Sequence, residues 1–224
     1  LVWSGNARPI PQVRAGFIDF VDIPFTKGWV QIKGELAYGK FMDNDFLRDH
    51  YNYYNQYITT DALYHHKSIS FRSNPDKPFV VTIGAELAAK FGGTKRYYEK
   101  GILIDSLTMK SPTRLKDFFK ILFPSSGDGQ TNEGDQAYYY GNHVGQWNLS
   151  AEYRFKDNSS VRGYFEWYFD DASGMGKFNG WDGLWGLEYK SGKKNWLSNV
   201  VLEYLDMTNQ SGPLNWCPSD YNDP

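Results

Sequence analysis

Trp147-Asn148-Leu149-Ser150-Ala151-Glu152-Tyr153-Arg154-Phe155-Lys156 alternates without a break. Trp147, Leu149, Ala151, Tyr153 and Phe155 fall on one side of an extended chain. Asn148, Ser150, Glu152, Arg154 and Lys156 fall on the other. Successive side chains of a strand point to opposite faces, so the stretch predicts a sheet with one apolar and one polar face. The next segment repeats the pattern: Val161, Gly163, Phe165, Trp167 and Phe169 oppose Arg162, Tyr164, Glu166, Tyr168 and Asp170.

Working outward, the same period recurs less regularly. Val30, Ile32, Leu36 and Tyr38 oppose Gln31, Lys33 and Glu35, and the run from Val81 to Phe91 opposes Thr82, Glu86 and Lys90. Trp185, Leu187 and Tyr189 oppose Glu188 and Lys190, while Val200, Leu202 and Tyr204 oppose Asn199 and Glu203. Two noisier strands are expected over 13–23 and 63–72. Turn formers cluster at 24–28, 73–77, 157–160 and 191–194, whereas links rich in Tyr, Gly and Asn fill 42–61, 92–142 and 171–181. Short and long connections therefore alternate, which predicts about eight antiparallel strands in four hairpins. One helix is expected inside the longest link, with Ser111 as N-cap, Pro112 in the first turn, Leu115, Phe118, Phe119 and Leu122 on one face, and Pro124 as its stop.

Composition narrows the class. The 224 residues carry a net charge of −2 with both signs interspersed, so no basic stripe exists to neutralise phosphates and no nucleic-acid partner is expected. Mean hydropathy is −0.60, yet aromatics reach 18%. Interfacial girdles of a membrane barrel or a sugar-binding surface would each use such an excess. Cys217 is the single cysteine, which excludes a disulfide framework within the chain. No run approaches the roughly 20 apolar residues of a membrane helix, but barrel strands carry a far weaker signal. A start at Leu1 within patterned sequence, without a leader, suggests a mature protein or a fragment.

In a water-soluble sheet the polar face is mostly Lys, Thr and Glu with few aromatics. Here Lys33, Glu35, Glu86, Glu152, Arg154, Arg162, Glu166 and Glu188 put both charge signs at mid-strand, and Trp147, Trp167, Trp185 and Trp196 end the apolar rows. A lumen hydrates or pairs such charges, so a transmembrane barrel is expected ahead of a soluble β-sandwich.

Four stretches extend that reading: Gly141-Asn142-His143-Val144-Gly145, Asp170-Asp171-Ala172-Ser173-Gly174-Met175, Trp181-Asp182-Gly183-Leu184-Trp185-Gly186-Leu187-Glu188, and Glu203-Tyr204 followed by Asn209-Gln210-Ser211-Gly212-Pro213. Together they resemble the Wzi family of capsule-assembly outer-membrane proteins in its Bacteroides-type form. Pro24-Phe25-Thr26-Lys27-Gly28, Leu63 through Lys67 and Phe91-Gly92-Gly93 look like earlier landmarks of the same family, so the resemblance spans almost the whole chain in order. It implies an 18-stranded barrel with an obstructed lumen, of which residues 1–224 would be one part. It also implies a lectin-like, non-enzymatic role in attaching capsular polysaccharide to a Gram-negative cell surface, with outer-membrane lipid and other capsule or envelope proteins as partners.

Asp170-Asp171 and Glu203 with Asp206 are carboxylate pairs of the kind a glycosidase needs, but neighbours on a strand diverge. His66 and Ser68 share a face, without the elbow motif or a third residue for a hydrolase. His65-His66 diverge as metal ligands, and Asp43-Asn44-Asp45 lacks the glycine and distal glutamate of a calcium loop. No cofactor or metal is expected. Sugars offer C–H faces to aromatic rings and hydroxyls to Asn, Gln and Asp. On those grounds the candidate carbohydrate-binding residues are Tyr140, Asn142, His143, Asp170, Asn179, Trp181, Asp182 and Gln210. A channel for oligosaccharides or other solutes is the alternative function, and a soluble lectin or glycan-processing domain the third.

Overall fold

The computed structural model describes residues 9–42, 44–51, 56–126, 140–170, 180–193 and 196–209. In chain order the elements are β1 (Gln12–Asp22), β2 (Val30–Lys40), α1 (Asn44–Tyr51), β3 (Gln56–Thr60), β4 (Leu63–Ser73), β5 (Phe79–Phe91), β6 (Thr94–Glu99), β7 (Ile102–Lys110), α2 (Leu115–Leu122), β8 (Asn142–Arg154), β9 (Ser160–Asp170), β10 (Gly183–Lys190) and β11 (Asn199–Asp206). Eight strands make one antiparallel sheet in the order β1-β2-β4-β5-β8-β9-β10-β11. The chain is all-β in class, and the four expected hairpins β1–β2, β4–β5, β8–β9 and β10–β11 are its units. Among the described residues β1 and β11 each have a neighbour on one side only, so these strands form an open sheet rather than a closed barrel.

The hairpin turns are closed by their own side chains. Thr26 Oγ1 donates to Ile23 O at 2.8 Å, and Asn74 Oδ1 accepts from the Asp76 N–H at 2.8 Å. Asp157 Oδ1 accepts from the hydroxyl and the N–H of Ser159, which holds the Asp157 carboxyl below the ordinary carboxylate range. All four short turns lie at one end of the sheet, and the long connections lie at the other.

Those long connections hold more structure than their composition predicts. β3, from the β2–β4 connection, pairs with β6 from the β5–β8 connection, and β7 completes a second, three-stranded sheet. The two connections thus join across the β4–β5 hairpin between them. Gly92 and Gly93, both at positive φ (65° and 86°), turn the chain from β5 into β6, and a Cβ on Gly93 would meet Thr60 O at 2.6 Å.

The helix of the longest connection is present but starts later than expected. Ser111 N–H donates to Gly93 O and stays extended, and the first turn begins at Leu115 instead. Arg114 takes the N-cap position expected of Ser111, and Asp117 Oδ2, at the third helical position, accepts the Arg114 N–H at 2.7 Å. The expected apolar stripe is rotated as well. Asp117 and Ile121 are fully buried and Phe118 packs inward, whereas Leu115 and Phe119 face out. α2 lies against Ala89, Phe91 and Tyr140, with Tyr38 and Leu63 beside them, and together they form a buried apolar cluster. A fully buried Phe or Ile contributes about 1.5–3 kcal/mol there.

Candidate functional site

Register fixes which side chains share a face. Ile32, Phe71, Ile83, Leu149, Phe165, Trp185 and Tyr204 are consecutive cross-strand partners, one apolar row across seven strands. Gly34, Ile69, Ala85, Trp147 and Trp167 form the adjacent row on the same face. The opposite face carries Glu35, Ser68, Glu86, Gln146 and Tyr168 in one row, and Lys33, Ser70, Gly84, Asn148 and Glu166 in the next.

Exposure is uneven on both faces. On the apolar face Leu149 is 42%, Ile83 49% and Leu187 51% exposed. On the polar face the carboxylate side chains of Glu188, Glu35 and Glu86 are only 12%, 16% and 20% exposed. Phe165 and Trp167 of the same apolar rows are buried, and Lys33 on the polar face is exposed, so the carboxylates are enclosed while the apolar face is open at Ile83, Leu149 and Leu187.

The carboxylates are enclosed in pairs. Arg14 lies 3.7 Å from Glu35, whose other oxygen is 3.2 Å from Nδ1 of His66. Nε2 of His66 meets Glu86 at 2.8 Å, and Gln146 Nε2 bridges from Glu86 (3.5 Å) to Asn148 (3.1 Å). One polar chain thus crosses β1, β2, β4, β5 and β8. Further along, Tyr168 donates to Glu166, Tyr164 to Glu203, and Arg162 and Lys190 flank Glu188 at 3.4 and 3.2 Å. Buried charge is tolerated when partnered in this way.

The arrangement bears on the chemical candidates. His66 is held between two carboxylates on the polar face, while His65 points to the apolar face with Nδ1 3.0 Å from Ala37 O. The two imidazoles do not converge, and among the described residues no cluster of three His, Cys, Asp or Glu is arranged to hold a metal ion. Glu203 takes the Tyr164 hydroxyl on the polar face, whereas Asp206 closes the strand end on Thr208. That carboxylate pair does not converge either. Asp43 and Asp171 lie outside the described residues.

Those of the candidate sugar-binding residues that are described sit at the long-connection end but do not gather into one site. Tyr140 is buried, with its hydroxyl donating to Pro112 O and its ring 6.2 Å from that of Phe91. His143 is fully buried, its Nε2 3.0 Å from Tyr140 O. The Asp182 carboxylate is buried and accepts the Asn209 N–H (2.6 Å), Asn209 Nδ2 (3.1 Å) and the Thr208 hydroxyl (3.5 Å), closing the end of the β10–β11 hairpin. These three are committed to the fold. Asn142 is exposed at the start of β8, and Asp170 ends β9. Trp181 is exposed, 5.8 Å from Trp185 on the apolar side. Asn179 and Gln210 lie outside the described residues.

Comparison adds no precedent. The chain matches no protein-family model, no curated protein and no solved structure.

Sequence reading missed one surface of interest, the three-stranded sheet. Tyr57 is exposed there, its ring 4.9 Å from Tyr97 and 4.5 Å from Lys95 Nζ. An available signal was Lys100-Gly101, both at positive φ, a two-residue hairpin between β6 and β7.

Proposed function

We propose that the chain is part of a Gram-negative outer-membrane β-barrel, without catalytic activity, that binds capsular polysaccharide at its long-connection end. The polarity of the main sheet supports the membrane half of this reading: an apolar row open at Ile83, Leu149 and Leu187, backed by enclosed, paired carboxylates. Lipid covers the first at no cost, and a hydrated lumen suits the second. Length agrees. Eleven-residue strands such as β1, β2, β4 and β9 span about 37 Å, and tilted by about 45° they rise about 26 Å, close to the apolar band of such barrels. Paired only on one side, β1 and β11 would each continue into a further strand of the barrel.

The polysaccharide half rests on the resemblance to the Wzi family and on exposed aromatic and polar groups at the long-connection end, Tyr57, Trp181 and Asn142. Calorimetry of the detergent-folded protein with capsular polysaccharide from its own host tests it. Saturable binding is expected, weakened about 5- to 150-fold by combined Tyr57→Ala and Trp181→Ala substitution if each ring contributes about 0.5–1.5 kcal/mol. Folded protein that ignores the polysaccharide would remove this function.

The continuous polar row from Arg14 to Asn148 favours one second reading, a channel for oligosaccharides or other solutes. Steady single-channel current through a planar bilayer would favour it over an obstructed lumen.

A further inference from the structure

α2 packs on the apolar face, not the polar one. Phe118 meets the rings of Phe91 and Tyr38 at 5.3 and 5.4 Å, and Ile121 is buried against Ala89 and Phe91, all on that face. A helix on a water-soluble protein buries its apolar stripe and turns polar residues outward. α2 is apolar on both sides. Leu115 and Phe119, at spacing i, i+4, face outward with the C-cap residue Phe123 just beyond them, and the three are 76%, 58% and 70% exposed. Lys116 and Lys120 stand on the adjoining stripe.

The polar groups of α2 supply a second, independent observation. Its last turn would ordinarily leave carbonyls to water. Instead Lys67 Nζ donates to Ile121 O at 2.9 Å and to Leu122 O at 2.5 Å, Tyr38 OH donates to Phe118 O at 3.1 Å, and Phe123 N–H donates to Phe119 O at 2.9 Å. At the other end the Asp117 carboxylate takes the Arg114 N–H and guanidinium. The carbonyls of Phe118, Ile121 and Leu122 thus find partners within the protein, which suits surroundings that offer few hydrogen bonds.

We propose that α2 is a membrane-interface helix, whose outward residues Leu115 and Phe119 lie, with Phe123, among lipid acyl chains at the headgroup boundary. The inference rests on the membrane reading above and extends it, since the lipid covering the sheet's apolar face would run on over α2. Lys116 and Lys120 then reach the headgroups, as basic residues do on interfacial helices. Tyr38, Phe91 and Phe118 become a layer between sheet and helix rather than lipid-facing groups.

The test uses the full chain carrying Cys217→Ser, folded into dioleoyl phosphatidylcholine vesicles. Single nitroxide labels are placed at Leu115→Cys and Phe119→Cys, with Leu149→Cys as the apolar-face reference and Asp76→Cys as the turn reference. Collisions with oxygen and with a water-soluble nickel chelate are then compared. The α2 labels are expected to lose nickel collisions as the Leu149 label does. Nickel access at both α2 positions, with Leu149 still protected, would overturn the interfacial helix and leave the membrane reading intact. Nickel access at Leu149 as well would overturn both. Phe123→Cys, beyond the last turn, repeats the measurement if a label within the helix disturbs folding.

Discussion

Replacing Leu149 with Arg separates a lipid-covered sheet from a water-covered one, provided a second position is measured beside it. Leu149 is mid-strand in β8, between Ile83 and Phe165, and Val200 lies next to the short turn at the start of β11. Their exposures are nearly equal, 42% and 45%. In water the two substitutions should therefore cost about the same. Each loses contact over rather more than half a side chain, about 1–2 kcal/mol, less what the Arg methylenes recover. In a bilayer the costs diverge: about 2–4 kcal/mol for Arg near the midplane, falling to about 0–1 kcal/mol near the interface. Leu149→Arg should then exceed Val200→Arg by about 2–3 kcal/mol, a factor of roughly 30 to 150 in the folding equilibrium. Urea titration of the protein refolded into phospholipid vesicles, read by tryptophan fluorescence, measures both. Costs within about 0.5 kcal/mol of one another would refute the reasoning, because depth would then have no effect.

Lys67→Met removes the donor to two α2 carbonyls, so amide exchange across 115–122 should quicken by roughly ten- to a hundredfold while β5 and β8 hold their protection. Asp182→Ala leaves the Asn209 N–H and side-chain amide without their buried acceptor. It should destabilise the β10–β11 hairpin by about 1–3 kcal/mol and open residues 180–209 to proteolysis. Gly186→Val places a Cβ 2.0 Å from the Tyr164 ring, which lies flat across that glycine. The expected loss is about 1–3 kcal/mol, and adding Tyr164→Ala should cost less than the sum of the two single changes, as thermal or urea midpoints would report.

The strands were legible because each presents one uniform face. In β8, Trp147, Leu149, Ala151 and Tyr153 alternate with Asn148, Ser150, Glu152 and Arg154 at a period that no helix shares. Turns were legible because Thr26, Asn74 and Asp157 bond their own backbone, a local effect that sequence carries whole. α2 was misplaced at its start because its cap is a tertiary choice: Ser111 is held extended by Gly93, which lies far from it in sequence. The three-stranded sheet was illegible as a unit because β3 and β6 lie on opposite sides of a hairpin, and neither strand foretells the other. Among the candidate binding residues, chemical type was a poor guide. Asn, Asp, His and Tyr suit a sugar and suit a buried hydrogen bond equally, and burial decided for the second at Tyr140, His143 and Asp182.

The bridge between β3 and β6 sets an order on assembly. The two strands of each main-sheet hairpin are joined by a short turn, so each hairpin forms from contacts close in sequence. The β3–β6 ladder closes a larger loop around the whole β4–β5 hairpin, and that closure cannot gain its contacts until the hairpin is in place. The three-stranded sheet should therefore be a late event, a latch that drops once β4 and β5 have paired. It also means that cutting the chain in the turn after β4 would not release the pieces. The ladders of both sheets would still hold the two halves side by side, and the protein should tolerate being made as two fragments divided there.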